Sequence, residues 1–479
     1  MNWRAAILIL VCCLLLVISG CATYRYDAAP SEATTPECEA QFRGWQAHIE
    51  QTGTFDAQAW SPPGFPYLRV DRFLASFEFT ALSREQQREW LQRAHQKAVE
   101  AWQQEAEGQA DSIRQRIEGL RACGEQAIDR LQASPGLWPE LEAAKAVPDS
   151  YSTAARVFGL YPLVAPVMNW RASAIMGDLR ESFGNYRSSA PWQYYRPAAG
   201  SPGIDVGALV ASARRRSALG VPDFAAEELR ALFQRFAPTF AVETHDLNDL
   251  PGRPGRGLAG ELRMLSEPVV YTLLAYTRRH GQVLPQLVYT VWFPARPKEG
   301  RLDIYAGALD GFVWRVTLGA EGQPLVYDYM HACGCYHQWL LVDGGLEVKG
   351  AGDTKNPVNG EPLWVVGTTG RRQGLPILYL SSREHHLVDV GGDDRRDAGE
   401  PYRLEPYQAL RGQSYAGGRL FDSGGMVPGS ERAERWLLWP AGIPSAGAMR
   451  QWGRHAVAFT GRRHFDDPFL LERYFKAAP

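Results

Sequence analysis

Val269-Val270-Tyr271-Thr272-Leu273-Leu274-Ala275-Tyr276 and Val283-Leu284-Pro285-Gln286-Leu287-Val288-Tyr289-Thr290-Val291-Trp292-Phe293, joined through Arg279-His280-Gly281-Gln282, decide the fold class of this chain. Both segments are rich in β-branched and aromatic residues, which suit a pleated and half-buried surface. The glycine-bearing connection supplies the turn of a hairpin. Residues 312–318 and 325–330 repeat the arrangement around Gly319-Ala320-Glu321-Gly322, and further short strands fall at residues 363–366 and 377–380. The pattern predicts a meander of hairpins rather than a βαβ fold.

Helical sequence lies on both sides. Ser83 and Gln86 form a capping-box pattern, followed at helical spacing by Trp90, Ala94, Ala98 and Ala101. The periodicity resumes after Gly108 through Ile113, Ile117, Leu120, Ala127 and Leu131 and stops at Ser134-Pro135-Gly136. This amphipathic region offers a face for an envelope protein partner, although most such faces are core. A helix is expected over 208–217 and another after Asp223 as cap, with Leu229, Leu232, Phe233 and Phe236 inward. Near the end, helices are expected over 431–438, 446–459 and from Asp467-Pro468 onward. The fold class is therefore α+β: a mainly helical region at 38–250, a basic glycine-rich linker at 251–265 and, at 266–479, a mainly antiparallel β domain with C-terminal helices.

The densest chemical constellation is His331-Ala332-Cys333-Gly334-Cys335-Tyr336-His337, directly after a predicted strand. Strand alternation would project His331, Cys333, Cys335 and His337 from one face. Six residues of extended chain would separate the histidines by about 20 Å, whereas zinc ligands sit about 2.0–2.3 Å from the ion. One ion can use both histidines only if the chain bends, and Gly334 is the residue that permits a bend. The resulting metal expectation is Cys333 and Cys335, a neighbouring histidine, and His385 or His386 from elsewhere; sulfur with imidazole suits zinc or copper. The alternatives are a strained Cys333-Cys335 disulfide and a thiol-disulfide exchange site flanked by imidazoles.

At the N-terminus, Met1-Asn2-Trp3-Arg4 leads into an apolar run over residues 5–17 and then Ile18-Ser19-Gly20-Cys21. This is the pattern of a secretory signal, and its last four residues resemble the lipobox of bacterial lipoproteins. The resemblance covers residues 1–21 alone. It implies that Cys21 is acylated and becomes the first mature residue, with residues 21–37 as a tether and the bilayer as partner. Ala22, rather than aspartate, after that cysteine favours the outer membrane facing the periplasm. The apolar run is shorter than the roughly 20 residues of a spanning helix. With Cys12 and Cys13 removed and Cys21 acylated, Cys38, Cys123, Cys333 and Cys335 remain, an even number for an oxidising compartment. Of three connectivities, Cys38 with Cys123 is favoured; two long-range bridges are the alternative.

The remaining signals are weaker. A net charge of −2 gives no electrostatic reason for a nucleic-acid partner. Asp422-Ser423-Gly424-Gly425 is similar to the serine motif of chymotrypsin-like proteases, but Phe421 stands where that family has glycine, and a turn is the simpler reading. Asp389, Asp393, Asp394 and Asp397 miss EF-hand spacing. Arg214-Arg215-Arg216 reads as a solvated helix end, and His455 and His464 as ordinary core or surface histidines. Glu243, His245, Asp246 and Asp249 form a polar cluster without a recognised spacing. The catalytic residues, if any, are unassigned by sequence.

Overall fold

A computed structural model describes residues 33–198, 200, 202–349, 360–370, 376–392, 399–412 and 418–478. Cys21 and most of the expected tether lie outside the described residues, as do Asp393, Asp394 and Asp397.

Helices α1 (Pro36–Thr52), α2 (Arg84–Ala106) and α3 (Asp111–Ala133) open the described chain. The Ser83 hydroxyl accepts from Gln86 N while Gln86 Oε1 accepts from Ser83 N, so the reciprocal cap forms as the sequence predicts. The stripe Trp90, Leu91, Ala94, Ala98 and Trp102 is buried because its three- and four-residue spacing keeps it on one helix face. It shares a core with Phe42, Trp45, Leu120 and Ile128. The sulfurs of Cys38 and Cys123 lie 1.96 Å apart, linking α1 to α3. Two further helices, α4 (Thr153–Phe158) and α5 (Tyr161–Ser182), lead into the sheet.

Beyond α5 come β1 (Trp192–Pro197), α6 (Val206–Arg215), α7 (Ala226–Phe236) and β2 (Thr239–Glu243). The cap of α7 is Ala225, not Asp223. A hairpin of β3 (Arg253–Arg256) and β4 (Leu262–Leu265) follows. Then run β5 (Val269–Arg279), β6 (Gln282–Arg296), β7 (Gly307–Leu318), β8 (Pro324–His331), β9 (Gln338–Val342) and β10 (Leu346–Val348). The last strands are β11 (Val365–Thr369), β12 (Ile377–Leu380), β13 (Leu387–Gly391), β14 (Glu400–Pro406) and β15 (Phe475–Ala477).

Eleven of these strands form one sheet in the order β11-β9-β8-β7-β6-β5-β14-β1-β2-β12-β13. The run β5 to β9 is the predicted antiparallel meander. Parallel neighbours enter where β14, β1, β12 and β11 are added. The sheet curls on itself. Phe240 on β2 and Phe312 on β7 are separated by five strand steps, about 24 Å in a flat sheet, yet their rings are 6.5 Å apart. They meet in a core with Tyr195, Tyr289, Trp314 and Tyr402.

Several expectations are revised. The stretch expected as a linker is the β3–β4 hairpin, clamped by the Arg256 guanidinium, which donates to the carbonyls of Arg419, Gly260, Leu420 and Pro428. The region expected to be helical contributes β1 and β2 to the sheet. No helix forms over 446–459: Gly447 and Gly453, both at φ +85°, adopt a conformation a helix interior excludes. The C-terminal helices are short, α8 (Arg435–Leu438) and α9 (Leu470–Tyr474). The helical region is pinned to the sheet by a fully buried ion pair of Asp56 with Arg411, supported by Gln451.

A candidate functional site at the closure of the sheet

The curl of the sheet carries the β12–β13 connection onto the ends of β7 and β8, and there a buried polar network forms. Asp310 enters β7 after Leu309, a non-glycine residue at φ +61°. Its Oδ2 is 2.9 Å from His385 Nδ1, and its Oδ1 accepts from Arg432 at 2.9 Å. The Oδ1 is also 3.7 Å from His331 Nδ1, too long for a hydrogen bond but close enough for charge attraction. Asp249 Oδ1 lies 3.6 Å from the other nitrogen of His385. The His385 ring stacks flat on Phe293, centroids 3.8 Å apart.

Two buried carboxylates build the walls. Asp249 accepts from the amides of His245, Asp246 and Arg383. Glu243, at the end of β2, accepts from the Tyr186 hydroxyl, the Ser189 hydroxyl and the amides of Ser189, Ala190 and Ser382. They hold the 381–386 loop in a conformation with Arg383 at φ +61° and His385 at φ +52°. Of seven non-glycine residues with positive φ among the described residues, Leu309, Tyr336, Arg383 and His385 belong to this network. Such conformations persist only where surrounding structure over-determines them, and they gather at functional sites.

Above the network opens a cleft of about 420 Å³ lined by Ser182, Tyr186, Ser189, His245, Ser381, Ser382, Arg383, Glu384 and His386, with Leu179 and Val388 as apolar wall. His386 links the cleft to the buried groups. Its ring is 4.8 Å from that of His331 and 4.5 Å from that of Tyr336, centroid to centroid. Both ring nitrogens of His331 are buried without a hydrogen-bond partner, an exception to the rule that buried polar groups are paired.

The charges follow from burial and neighbours. Burial first, then His331 and Arg296, hold His386 well below the usual imidazole range, so its ring is neutral. His331 is lowered by burial against the pull of Asp310. Burial also opposes charge on His385, but Asp249 and Asp310 outweigh it and raise its pKa; the Phe293 face adds a cation–π contact. Burial would raise Asp310, yet Arg432 and His331 hold it well below the carboxylate range. The result is an Asp310–Arg432 ion pair, with His385 between two carboxylates that favour its charged form, beside His331 and His386, whose charged forms burial disfavours. A neutral imidazole facing a cleft can accept a hydrogen bond from a ligand hydroxyl through one ring nitrogen and donate through the other.

The cysteines stand apart from the cleft. Strand β8 ends at His331, and Gly334, at φ +93°, turns the chain so that Gly334 N donates to His331 O and His331 N to Cys335 O. The predicted bend is present, and it disperses the expected common face. Cys333 is buried in the core that includes Trp452 and Met449, Cys335 is partly accessible, and both are free thiols. Cys335 N donates to Cys333 Sγ at 3.4 Å. Contact between the two thiols lowers the Cys333 pKa, while the Cys333 sulfur and burial raise the Cys335 pKa well above the usual thiol value. The pair borders a small cavity of about 50 Å³ beneath α5, shared with Tyr336, His337 and Glu434. His337 is engaged elsewhere, 2.9 Å from Asp328 Oδ2. Among the described residues, no three His, Cys, Asp or Glu side chains converge as metal ligands would.

Sequence reasoning missed Asp310, Arg432 and Tyr336 as partners of the histidines. The signal available for Asp310 is a charged residue inside an otherwise apolar strand; for Asp249 and Glu243 it was the polar cluster that lacked a recognised spacing. Asp422 accepts from Gly424 N and Met426 N, so the Asp422-Ser423 segment is the turn expected. No protein-family model, no curated protein and no solved structure matches this chain.

Proposed function

We propose that the chain is an exported, lipid-anchored envelope protein whose sheet domain binds a small hydroxylated ligand in the cleft over His386, with that neutral histidine as hydrogen-bond acceptor for a ligand hydroxyl. One observation carries the reading: a neutral His386 at a cleft of about 420 Å³, backed by His331 with both ring nitrogens unpartnered and by the Asp310 carboxylate. The volume falls within the roughly 300–1,000 Å³ of small-molecule sites. Serine and tyrosine hydroxyls, carboxylates and imidazoles interleaved with Leu179 and Val388 match a ligand that has hydroxyl groups on an apolar skeleton. Export and acylation at Cys21 rest on the lipobox resemblance.

A second reading has its own support. The vacant nitrogens of His331 beside the His386 ring offer two imidazoles to a zinc or copper ion, whose further ligands would not be side chains of the described residues. Two measurements on the full-length protein in detergent separate the readings: elemental analysis after chelator-free purification, and calorimetric titration with neutral sugars, glycerol and size-matched apolar and anionic compounds. Heat of binding from the sugars without stoichiometric metal supports the ligand reading. Stoichiometric metal that is lost in both His331→Phe and His386→Phe supports the metal. Neither binding nor metal defeats both.

A further inference from the structure

The geometry points to a bilayer-docking surface formed by α4, the first half of α5 and α8. Fourteen large hydrophobic residues are exposed among the described residues, and six fall in one short stretch: Val157, Phe158, Leu160, Leu163, Val167 and Trp170. Two more, Trp436 and Leu437, lie on α8. The turn after α8 packs directly on α4. Ser152 N donates to Gly442 O, Arg156 Nε donates to Ala441 O, and the Gly159 backbone approaches Pro440 so closely that a Cβ would come within 2.6 Å. The eight side chains therefore belong to one neighbourhood. Monomeric proteins rarely leave so concentrated an apolar patch uncovered.

The occupant it fits is the headgroup and acyl boundary of a bilayer. Residues 157–170 contain no charged residue, while Arg156 and Arg171 bound them. Arg435 stands over the Trp436 ring at 4.8 Å. Aliphatic and tryptophan side chains with a basic rim are the composition of an in-plane amphipathic surface, where indole rings reach both the apolar and the wet side. No described helix is long and apolar enough to cross a membrane, so the segment would lie in the interface. The chain also keeps this surface near a bilayer. Cys21 is joined to Ala33 by residues 22–32, whose full extension is roughly 40 Å, and the apolar run at 5–17 by residues 18–32, roughly 50 Å. That holds whether the segment is retained or replaced by acyl chains on Cys21. Docking would bear on the site as well, because the inner face of α5 lines both cavities, with Ile175 and Met176 over the thiols and Leu179 and Ser182 over the cleft.

The test is photocrosslinking. The full-length protein is reconstituted into phosphatidylethanolamine–phosphatidylglycerol vesicles containing a phospholipid with a diazirine in its acyl chain, irradiated and digested, and the adducts are mapped by mass spectrometry. Adducts on residues 157–170 and 436–437 are expected, falling about tenfold in Val167→Asp/Trp170→Asp. Adducts confined to the N-terminal segment in the wild type would overturn the docking surface and leave the anchor intact. Adducts on the patch alone would keep the docking surface and remove the anchor; no adducts would remove both. A concentration-dependent dimer that dissociates in the double variant, with no lipid adducts on the patch, would assign the surface to a second copy and overturn the proposal.

Discussion

Five of the ten histidines crowd the strand ends described above, and burial sets most of their charges. His337, His455 and His464 are each brought down to about 4 by burial. The unfolded chain takes up protons near the ordinary value of about 6.5, so below it the unfolded state binds more protons and stability falls as pH drops toward 4. His385 works in the opposite sense. Its raised pKa contributes stability that is fully present below 6.5 and lost as pH rises through the folded value. With His95, His331 and His386 also lowered by burial, six histidines oppose one, and the denaturant midpoint is expected to be lower at pH 5 than at pH 7.5. His455→Gln should flatten that dependence; an unchanged slope would show that His455 does not titrate between the two states. None of this was legible from residue spacing. Spacing drew attention to His331, His337, His385 and His386, but their partners Asp310, Asp328 and Asp249 come from other strands and loops, and only the curl of the sheet brings them together.

The strands β5 to β9 were readable because each carries enough β-branched and aromatic residues to be recognised alone. Strands β1 and β2, six and five residues long, were lost inside helical sequence because, apart from each other, they pair with strands far along the chain: Tyr195 with Glu400 on β14 and Thr239 with Ile377 on β12. The expected helix over 446–459 had suitable apolar positions, but the backbone at Gly447 and Gly453 takes up left-handed conformations, and the segment instead walls the thiol cavity. Within the meander, Arg315 on β7 and Asp328 on β8 are direct cross-strand neighbours and form an ion pair with almost no exposure. Arg315 also donates to Phe465 O and lies 3.8 Å over its ring. Removing one partner strands a buried charge. Arg315→Met is therefore expected to cost about 3–5 kcal/mol in urea unfolding, and a loss below about 1 kcal/mol would show the pair to be screened by water.

At the scale of the molecule, the helical region, the curled sheet and the C-terminal segments share buried ion pairs and are not independent. Asp56 reaches Arg411, and Arg72 reaches Asp466 at 3.0 Å. The Cys38–Cys123 link closes a loop with a sequence separation of 85, for which the chain-entropy relation gives about 4–5 kcal/mol. Cys38→Ala/Cys123→Ala should lose stability of that order, measured against the oxidised wild type; no loss would mean that the sulfurs are not bonded in the folded protein. The α+β class and the Cys38 with Cys123 pairing came from local patterns, whereas the cleft required the sheet to close. Its role is tested most directly by titrating wild type and His386→Phe side by side with the neutral-sugar panel. Phenylalanine keeps the ring's bulk and removes its nitrogens. Binding in the wild type that falls at least about tenfold in the variant, with the unfolding midpoint unchanged, is the predicted result. Equal binding in both proteins, or none in the wild type, would contradict the assignment of His386 as the hydrogen-bonding floor of a ligand site.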